Sequence, residues 1–494
     1  MQNELRVIIR NNHDFDGITE EIITQLEHNF NLTRTIVYDC GDTCRARKEN
    51  VEYRPYKFIS NHNCIEFEND FGCIDPDILE KMLPYKSMAM ATMMRECHYD
   101  IYERAYLETV YYRHLKYWSN TIVSERINCM INLSYPHHCG EFILYALCKV
   151  MGIKIVLLYP RLVCDGTIYS IGNSIETMGE NVEKIYTNLV KENEVKKLSP
   201  YMDEFVNKIV CRKRANITSK KDNELVNEIE NLLCNFSSPR NIRKLFKQYI
   251  KTKYSPQYSE IRKYSLEGAE RRLKLGIKAY KTQRKMDHIE DYDRYSTRPD
   301  LSAKYIYYPL QLTPEASSMP AAGEFKNQLL AIEILSSLSQ KYGYSIYVKE
   351  HWVQPHRERG FYKRLNSIPG VVLIDREANT IELTKNSLAV ATLTGTCIIE
   401  ALVLRKIAIV FAKGHCLKGA PNIVEVSNLQ QLDIEVEKIM NGEKLIEKQD
   451  VVLYLNALQQ GTVFLYTDAL EEAGSYYQKQ ESAKRIIEYI INGV

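Results

Sequence analysis

The stretch "LAVATLTGTCIIEALVLRKIAIVF", residues 388–411, contains the pattern of a strand, a helix and a second strand in direct succession. Its first and last segments, "LAVAT" and "IAIVF", are uncharged apolar runs, as expected of strands that are covered on both faces. Between them, "TCIIEALVL" has apolar residues at helical spacing, and the connections are short. A unit of this kind predicts a parallel sheet with helices on its faces.

The same alternation extends to both sides of this unit. The segments "YIYY", "SIYVK" and "VVLI" read as strands, and "FKNQLLAIEILSSLSQKYG" reads as a helix that ends at a glycine. We therefore predict a Rossmann-like domain over residues 299–470. A second Rossmann-like domain is predicted over residues 1–175 from the strand patterns in "LRVIIR", "TRTIVYD", "INCMINL" and "IKIVLLY". The predicted fold class is α/β, with two Rossmann-like domains that face a central cleft.

Residues 176–298 have a different character, because charged helical patterns replace the strands. Residues 240–285 contain 15 Lys or Arg and three Glu. This predicts a helical, basic insertion between the two domains. Its cations are either the solvated faces of helices or a surface for anionic membrane lipid or an anionic polymer. Residues 471–494 are predicted to form a final helix that packs back on the first domain.

Bulk properties restrict the class of protein. The chain has 494 residues, a net charge of +2 and no apolar run long enough to cross a membrane. A balanced charge without a nucleic-acid motif argues against a nucleic-acid partner. The first residues lack the apolar core of a signal peptide, and none of the 13 cysteines forms a CxxC pair. We therefore expect a cytoplasmic protein with reduced thiols.

Three loops of the second domain follow the carboxyl ends of predicted strands, where ligands of such sheets bind. In the loop at Thr394, Gly395 and Thr396, the glycine allows close approach of a ligand and Thr396 is a good N-cap, so the turn suits a phosphate. Glu400, one turn further along the helix, is placed to accept hydrogen bonds from a ribose diol. The alternative is an ordinary capped helix with an incidental glutamate.

The stretch "IYVKEHWVQPHRERGFYKRL", residues 346–365, supplies cations at a neighbouring strand end. Lys349 and His351 are two residues apart on an extended chain, so they share a face and both can donate to phosphate oxygens. His351 is also a candidate acid for a leaving phosphate. Arg357 adds a further anion donor. The alternative is a surface loop with solvated charges.

Three segments, read in order, resemble the successive motifs of the capsule polysaccharide biosynthesis family: "YIYYPLQLTPEAS", "YVKEH…R…FYKRL" and "TLTGTCIIEALVLRKIAIVF". Its members are bacterial glycosyltransferases of the glycosyltransferase-B fold and include β-Kdo transferases that use CMP-Kdo. The resemblance is strongest over residues 300–420. It departs from the family at Trp352, where the family usually has proline.

The resemblance implies roles for the matching residues. Lys349 and His351 would hold the donor phosphate, Thr394–Thr396 would close around it, and Glu400 would hold the ribose. Glu315 belongs to the retained Pro-Glu pair and is expected on the donor side. The fold usually needs no metal, because cationic side chains neutralise the leaving group.

The acceptor-side base or nucleophile should come from the first domain. The candidates are Asp16 in "HDFDG", His137, Glu141 in "YPHHCGE" and Asp165 in "CDGT". Each of them is alternatively a turn or cap residue.

The expected function is transfer of a sugar, best guessed as Kdo from CMP-Kdo, to a cell-surface polysaccharide or glycolipid. The expected partners are the nucleotide sugar and a glycan or lipid-linked saccharide acceptor, with residues 240–285 against an anionic inner-membrane face and no nucleic acid. No cofactor is expected apart from the donor. A nucleotide-sugar 2-epimerase of the same fold and a non-catalytic glycan-binding homologue remain the alternatives.

Overall fold

A computed structural model shows two large β-sheets covered by helices, and a two-stranded sheet formed by residues 287–288 and 356–357. The residues that the structure describes are 4–11, 17–39, 50–55, 73–96, 104–163, 166–192, 197–211, 239–254, 270, 273–274, 276–278, 280–281, 284–352, 354, 356–415, 417–465 and 475–492.

The elements are numbered in chain order. The strands are β1 Glu4–Arg10, β2 Asn31–Asp39, β3 Glu52–Pro55, β4 Cys129–Asn132, β5 Lys154–Val163, β6 Gly166–Gly172, β7 Asp287–His288, β8 Tyr305–Pro309, β9 Ser345–Lys349, β10 His356–Arg357, β11 Val371–Leu373, β12 Ala389–Thr392, β13 Ile407–Val410, β14 Ile423–Glu425 and β15 Thr462–Leu465. The helices are α1 Ile18–Asn29, α2 Pro76–Lys81, α3 Leu83–Glu96, α4 Arg104–Ser124, α5 Cys139–Val150, α6 Glu180–Glu192, α7 Pro200–Cys211, α8 Pro239–Tyr254, α9 Ile289–Asp293, α10 Gln328–Tyr342, α11 Phe361–Ser367, α12 Thr380–Asn386, α13 Cys397–Val403, α14 Leu429–Met440, α15 Lys448–Gly461 and α16 Ser475–Asn492.

The second sheet has six parallel strands among the described residues, in the order β11-β9-β8-β12-β13-β14. Counted within this domain, that is the order 3-2-1-4-5-6 of doubly wound nucleotide-binding sheets. The chain reverses its direction of winding between β8 and β12. The stretch at residues 388–411 forms β12, α13 and β13 of this sheet, as its pattern predicts.

The first sheet has the order β15-β6-β5-β4-β1-β2-β3 within the described part of the chain. The strands from β3 to β5 are parallel, whereas β6 and β15 add an antiparallel edge. Both sheets therefore wind in the Rossmann manner, which confirms the predicted fold class. The pairing of β15 with β6 brings the chain back to the first sheet at Thr462, before the expected boundary at residue 470.

Helices α6 and α7 follow strands of the first sheet in the chain but pack on the second sheet. Val182 and Leu189 of α6 lie in the buried core of the second sheet, together with Met202 of α7. The apolar face of α16 joins the core of the first sheet, where Ile486 lies in the same cluster as Ile22 of α1. The two domains are thus tied by helices that cross between them.

Several buried tyrosines direct their hydroxyl groups to backbone carbonyls. The hydroxyl of Tyr292 donates to the Ile374 carbonyl at 2.6 Å, and that of Tyr305 donates to the Leu383 carbonyl at 2.8 Å. The Tyr305 and Tyr347 rings stack with their centroids 4.1 Å apart. A buried ring with a satisfied hydroxyl supplies apolar area without an unpaired polar group. No helix in the described part of the chain has the length and apolarity that crossing a bilayer requires.

Candidate functional site

The carboxyl ends of β8, β9 and β12 meet at the reversal point of the second sheet. Strand β8 lies between the other two, so its following loop starts between Lys349 at the end of β9 and Thr392 at the end of β12. Ligands of doubly wound sheets bind in the crevice at this point. The three loops that the sequence singles out therefore do come together.

Three buried glutamines tie these loops to each other. The Gln328 side chain accepts from the Gln311 backbone N–H at 2.8 Å and donates to the Gln311 carbonyl at 2.9 Å. The Gln354 side chain accepts from the Thr313 N–H at 2.8 Å and donates to the Thr313 carbonyl at 2.6 Å. Such two-way pairing mimics a strand ladder and fixes the loop after β8 against the loop after β9.

The side chain of Gln311 extends this network to the loop after β12. In the orientation that satisfies its carboxamide, Gln311 Oε1 accepts from the Gly395 N–H at 2.7 Å and from the Thr394 N–H at 3.3 Å. The Thr394 hydroxyl in turn donates to the Ser317 carbonyl at 2.9 Å. These backbone donors were expected to hold a phosphate, and in this structure Gln311 occupies two of them.

Gly395 lies at a position where only glycine fits without displacement of its neighbours. A Cβ atom there would lie 2.8 Å from the Thr392 hydroxyl and 3.0 Å from the Gln311 carboxamide. Such distances are too short for an unrelaxed contact. The close approach that the sequence predicts at Gly395 is thus made by Gln311 and Thr392.

We expect Gly395→Ala to weaken nucleotide binding roughly tenfold and to lower the free energy of unfolding by about 1–2 kcal/mol, because overpacking displaces Gln311. Calorimetric titration and urea unfolding measure the two effects. Gly442→Ala is the matched control: its φ of 71° makes alanine strained, but no atom lies within 4 Å of the added Cβ. It should lose stability and keep the affinity. Equal affinities of all three proteins would contradict this role of Gly395.

Lys349 is a buried cation at the end of β9. Its side chain is only 4% exposed, and within the described residues no carboxylate forms an ion pair with its Nζ. Desolvation lowers the pKa of Lys349 to about 8, although the more distant Glu377 and Asp375 carboxylates favour the charged form. A buried ammonium without an ion-pair partner is costly unless an anion completes the site.

Glu350 anchors the loop that follows Lys349. Its carboxylate accepts from Arg357 Nη2 at 2.6 Å and Nε at 2.9 Å, from the Tyr362 hydroxyl at 2.8 Å, and from the His351 N–H at 2.6 Å. The side chains of Glu350 and Arg357 are 0% and 4% exposed. Arg357 was expected to bind the donor anion, but Glu350 already neutralises it, and its Nη2 also donates to the Gln311 carbonyl at 2.9 Å. The structure thus gives Arg357 a role in holding the loops.

His351 follows Glu350 and is partly buried. Desolvation, with the Arg357 and Lys349 cations opposing protonation, lowers the pKa of His351 to about 4. The ring is therefore neutral at pH 7 and can offer one N–H donor to an anion. Trp352, which replaces the expected proline, stacks on His351 with the ring centroids 5.9 Å apart and the planes at 22°. The substitution therefore places an aromatic surface on the imidazole.

The remaining donor-side residues surround this centre. Thr396 precedes α13, but its backbone is already helical (φ −62°, ψ −17°) and its side chain makes no capping hydrogen bond. Thr396 therefore holds the predicted N-cap position without the side-chain capping hydrogen bond. Glu400 lies at the end of the first turn of α13 and is partly exposed. The Glu315 carboxylate accepts from the N–H and the hydroxyl of Ser317, so it shapes its own loop.

Two of the first-domain candidates, His137 and Glu141, lie near the carboxyl ends of β1 and β4. Arg10 and Asn132 are register partners there, and Arg10 Nε donates to Glu141 Oε1 at 2.5 Å. Glu141 Oε2 accepts from the N–H groups of His137 at 2.6 Å and His138 at 3.1 Å. Despite its burial, the Arg10 guanidinium and these neighbours lower the pKa of Glu141 to about 2. Such an acidic, fully engaged carboxyl is a poor base and favours a positioning role.

His137 is the exposed member of this group. Desolvation by the surrounding protein, together with the Arg95 and Arg10 cations, lowers the pKa of His137 to about 3. Asp16 and Asp165 lie outside the described residues.

Ala316 and Ala321, from the loop after β8, belong to the same buried cluster as Tyr135 of the first domain. This contact brings the crevice edges of the two sheets together.

Within the described residues, no three His, Cys, Asp or Glu side chains are arranged to hold a metal ion. The Asp-Tyr-Asp sequence before the second domain is not a shared ligand pair. Asp291 accepts from the His288 N–H at 2.9 Å, whereas Asp293 forms two hydrogen bonds to Arg376 at 2.9 and 2.8 Å.

Comparisons with known proteins give a family match over part of the chain and structural matches of low identity. No curated protein sequence matches this chain. Solved structures aligned to it include the UDP-GlcNAc 2-epimerase of Methanocaldococcus jannaschii (10% identity, 99% of this chain and 100% of that chain, TM-score 0.26). A second is a glycosyltransferase from Rickettsia africae ESF-5 (12% identity, 100% of this chain and 100% of that chain, TM-score 0.27). A third is the β-Kdo 2,4-transferase KpsC of Thermosulfurimonas dismutans (13% identity, 67% of this chain and 79% of that chain, TM-score 0.28).

Residues 234–415 match the family model described as "Capsule polysaccharide biosynthesis protein". The match includes β8, β9 and β12 with the three loops at their carboxyl ends. Over residues 234–415, the predicted resemblance to the capsule polysaccharide biosynthesis family is confirmed.

Proposed function

We propose that this protein is a glycosyltransferase that moves a sugar from a nucleotide donor to a cell-surface polysaccharide or glycolipid. Kdo from CMP-Kdo is the first donor to test. The observation that carries the proposal is Lys349, a 4% exposed cation without an ion-pair partner among the described residues, at the reversal point of a nucleotide-binding sheet. A donor phosphate supplies the anion that this position lacks.

The chemistry assigned to the site is stabilisation of a departing nucleotide. Lys349 binds the phosphate as a point charge, and neutral His351 donates one hydrogen bond to it. Helix α13 has only seven residues, so we assign the main electrostatic effect to Lys349 and not to the helix end. Glu400, one turn into α13, accepts from the ribose hydroxyls. No metal is required, since the charge that develops on the phosphate is met by the ammonium.

The acceptor side is assigned to the first-domain group around His137. Its neutral imidazole is exposed and can hydrogen-bond an acceptor hydroxyl, with its backbone held by Glu141. Because the lowered pKa makes this imidazole a weak base, Asp16 and Asp165 remain the candidates for proton removal.

The test is incubation of the full chain with CMP-, UDP-, GDP- and dTDP-sugars, with the nucleotide and sugar products separated by chromatography. We expect slow release of one nucleotide without acceptor and faster release when an acceptor glycan is added. Recovery of an isomerised sugar, independent of acceptor, would identify an epimerase instead. If no donor is bound or turned over, the catalytic proposal fails.

Nucleotide affinity should depend on pH through Lys349. Its pKa of about 8 in the free protein means that the ammonium loses its proton as pH rises through this value. A bound phosphate favours the charged form, so binding takes up a proton near pH 8, and the association constant falls by up to about tenfold per pH unit above it. Calorimetry in buffers of different ionisation enthalpy measures this uptake. Constant affinity between pH 7 and 10 would argue against contact of Lys349 with the phosphate.

A further inference from the structure

Helix α8 presents cations and exposed apolar side chains on one surface. Its sequence, "PRNIRKLFKQYIKTKY", contains six Lys or Arg and no Asp or Glu. Phe246 and Ile250 are 52% and 37% exposed, one helical turn apart. Neither residue belongs to the donor-side or acceptor-side groups described above. An exposed apolar pair on a short helix with this charge needs a partner that offers both apolar and anionic contacts.

The two kinds of side chain occupy adjoining arcs of the helix. At 100° per residue, Arg243, Lys244 and Lys247 lie on one arc, and Phe246 and Ile250 lie beside it. The half-buried Ile242, Leu245 and Tyr249 lie beyond the exposed pair and complete the apolar side. The exposed strip is therefore apolar along one edge and cationic along the other.

We propose that α8 binds the surface of an anionic lipid bilayer, with Phe246 and Ile250 inserted at the level of the headgroups and the cations paired with lipid phosphates. Basic amphipathic helices that lie in the plane of an interface combine the same two features. An anionic polysaccharide would satisfy the cations, but it would leave the exposed phenyl ring and isoleucine against a hydrated chain. The apolar pair thus favours the bilayer. This proposal does not depend on glycosyl transfer, and either can fail without the other.

The test is co-sedimentation of the full chain with two kinds of vesicle. One is phosphatidylcholine alone, and the other is phosphatidylcholine with about 30% anionic phosphatidylglycerol. We expect binding only to the anionic vesicles, weakened as ionic strength rises. Reversal of three cations (Arg243→Glu, Lys244→Glu and Lys247→Glu) should weaken binding at least roughly 100-fold, since each cation near an anionic surface contributes a several-fold factor.

Removal of the apolar pair distinguishes an anionic bilayer from an anionic polysaccharide as the partner of α8. Phe246→Ser with Ile250→Ser should weaken vesicle binding on the order of tenfold or more, because two apolar side chains no longer insert. The matched control is Leu429→Ser with Ile434→Ser, which removes side chains that are 53% and 48% exposed on α14. The control should bind as the wild type does. Circular dichroism establishes that both double variants remain folded.

Insertion has its own optical signal. Phe246→Trp should shift its emission to shorter wavelength when anionic vesicles are added. Two outcomes overturn the proposal: no binding to the anionic vesicles at low salt, or equal binding by the wild type and the folded Phe246→Ser, Ile250→Ser variant. Equal binding by that variant, with competition by soluble dextran sulfate, would assign α8 to an anionic polymer.

Discussion

Lys349→Met should abolish nucleotide binding and at the same time make the free protein more stable. Methionine has a similar volume and removes the desolvation penalty of a buried cation that has no ion-pair partner in the described structure. With a pKa of about 8 against an ordinary value of 10.5, Lys349 costs the native state about 3 kcal/mol at neutral pH. The loss of the phosphate contact should lower kcat/KM roughly 100- to 1,000-fold.

The gain in stability has a defined pH dependence. The native-state pKa of Lys349 is lowered, so between pH 8 and 10.5 the unfolded chain holds more protons than the native protein. The free energy of unfolding of the wild type therefore rises with pH across this window. The advantage of Lys349→Met should be largest below pH 8 and vanish near pH 10.5. Urea unfolding of both proteins at several pH values measures the difference.

Lys406 supplies the control for this experiment. It precedes β13 at the amino edge of the same sheet, and its Nζ donates to the Ser387 carbonyl at 2.8 Å. Lys406→Met should change stability by at most about 1 kcal/mol, because loss of that hydrogen bond opposes relief of the desolvation that lowers the Lys406 pKa, and it should leave nucleotide affinity unchanged. A Lys349→Met protein that is less stable than the wild type and still binds nucleotide would show that Lys349 is structural.

Glu350→Ala should be the most destabilising single change at the site. It removes the acceptor of three side-chain hydrogen bonds and leaves the Arg357 guanidinium buried without its carboxylate. Breaking a buried ion pair from one side costs about 3–5 kcal/mol. Because the His351 N–H also loses its acceptor, the loop after β9 should lose its geometry, and kcat should fall together with the free energy of unfolding.

A double-mutant cycle isolates the pair. Arg357→Ala and the double variant complete it, and we expect the two single losses to exceed the double loss by about 2–3 kcal/mol. The exposed pair Arg376 and Asp293 is the comparison, because its side chains are 36% and 41% exposed. Its coupling should stay below about 1 kcal/mol despite two hydrogen bonds. Equal coupling in both cycles would refute the special role of burial at Glu350.

The sequence predicts the fold well where local pattern and packing agree. The strands of the second sheet are short apolar runs between clear turn residues, so their alternation identifies the Rossmann winding. The antiparallel edge is not predicted, because β15 pairs with β6 across nearly three hundred residues and its pattern resembles that of any short strand. The packing of α6 and α7 on the second domain is missed for the same reason: amphipathicity shows which face is buried, but not against what.

At the site, the sequence identifies the charged residues and misses the neutral ones. Lys349 and Thr394 fall at strand ends, which pattern can locate. Gln311 and Gln354 have no charge or motif to mark them, and their partners are distant in the chain. Arg357 was assigned to the ligand because a run of cations does not reveal which of them a nearby glutamate neutralises. The signal that could have identified Gln311 and Gln354 is that each follows the end of a predicted strand.

The central claim is that a nucleotide phosphate binds at Lys349, and a crystal structure with bound nucleotide tests it most directly. CMP, UDP, GDP and dTDP should be soaked in turn, and the distance from the nearest phosphate oxygen to Lys349 Nζ measured. The account predicts a distance of about 3 Å, with the ribose at Glu400. A nucleotide whose phosphates lie well beyond hydrogen-bond reach of Lys349 would contradict it.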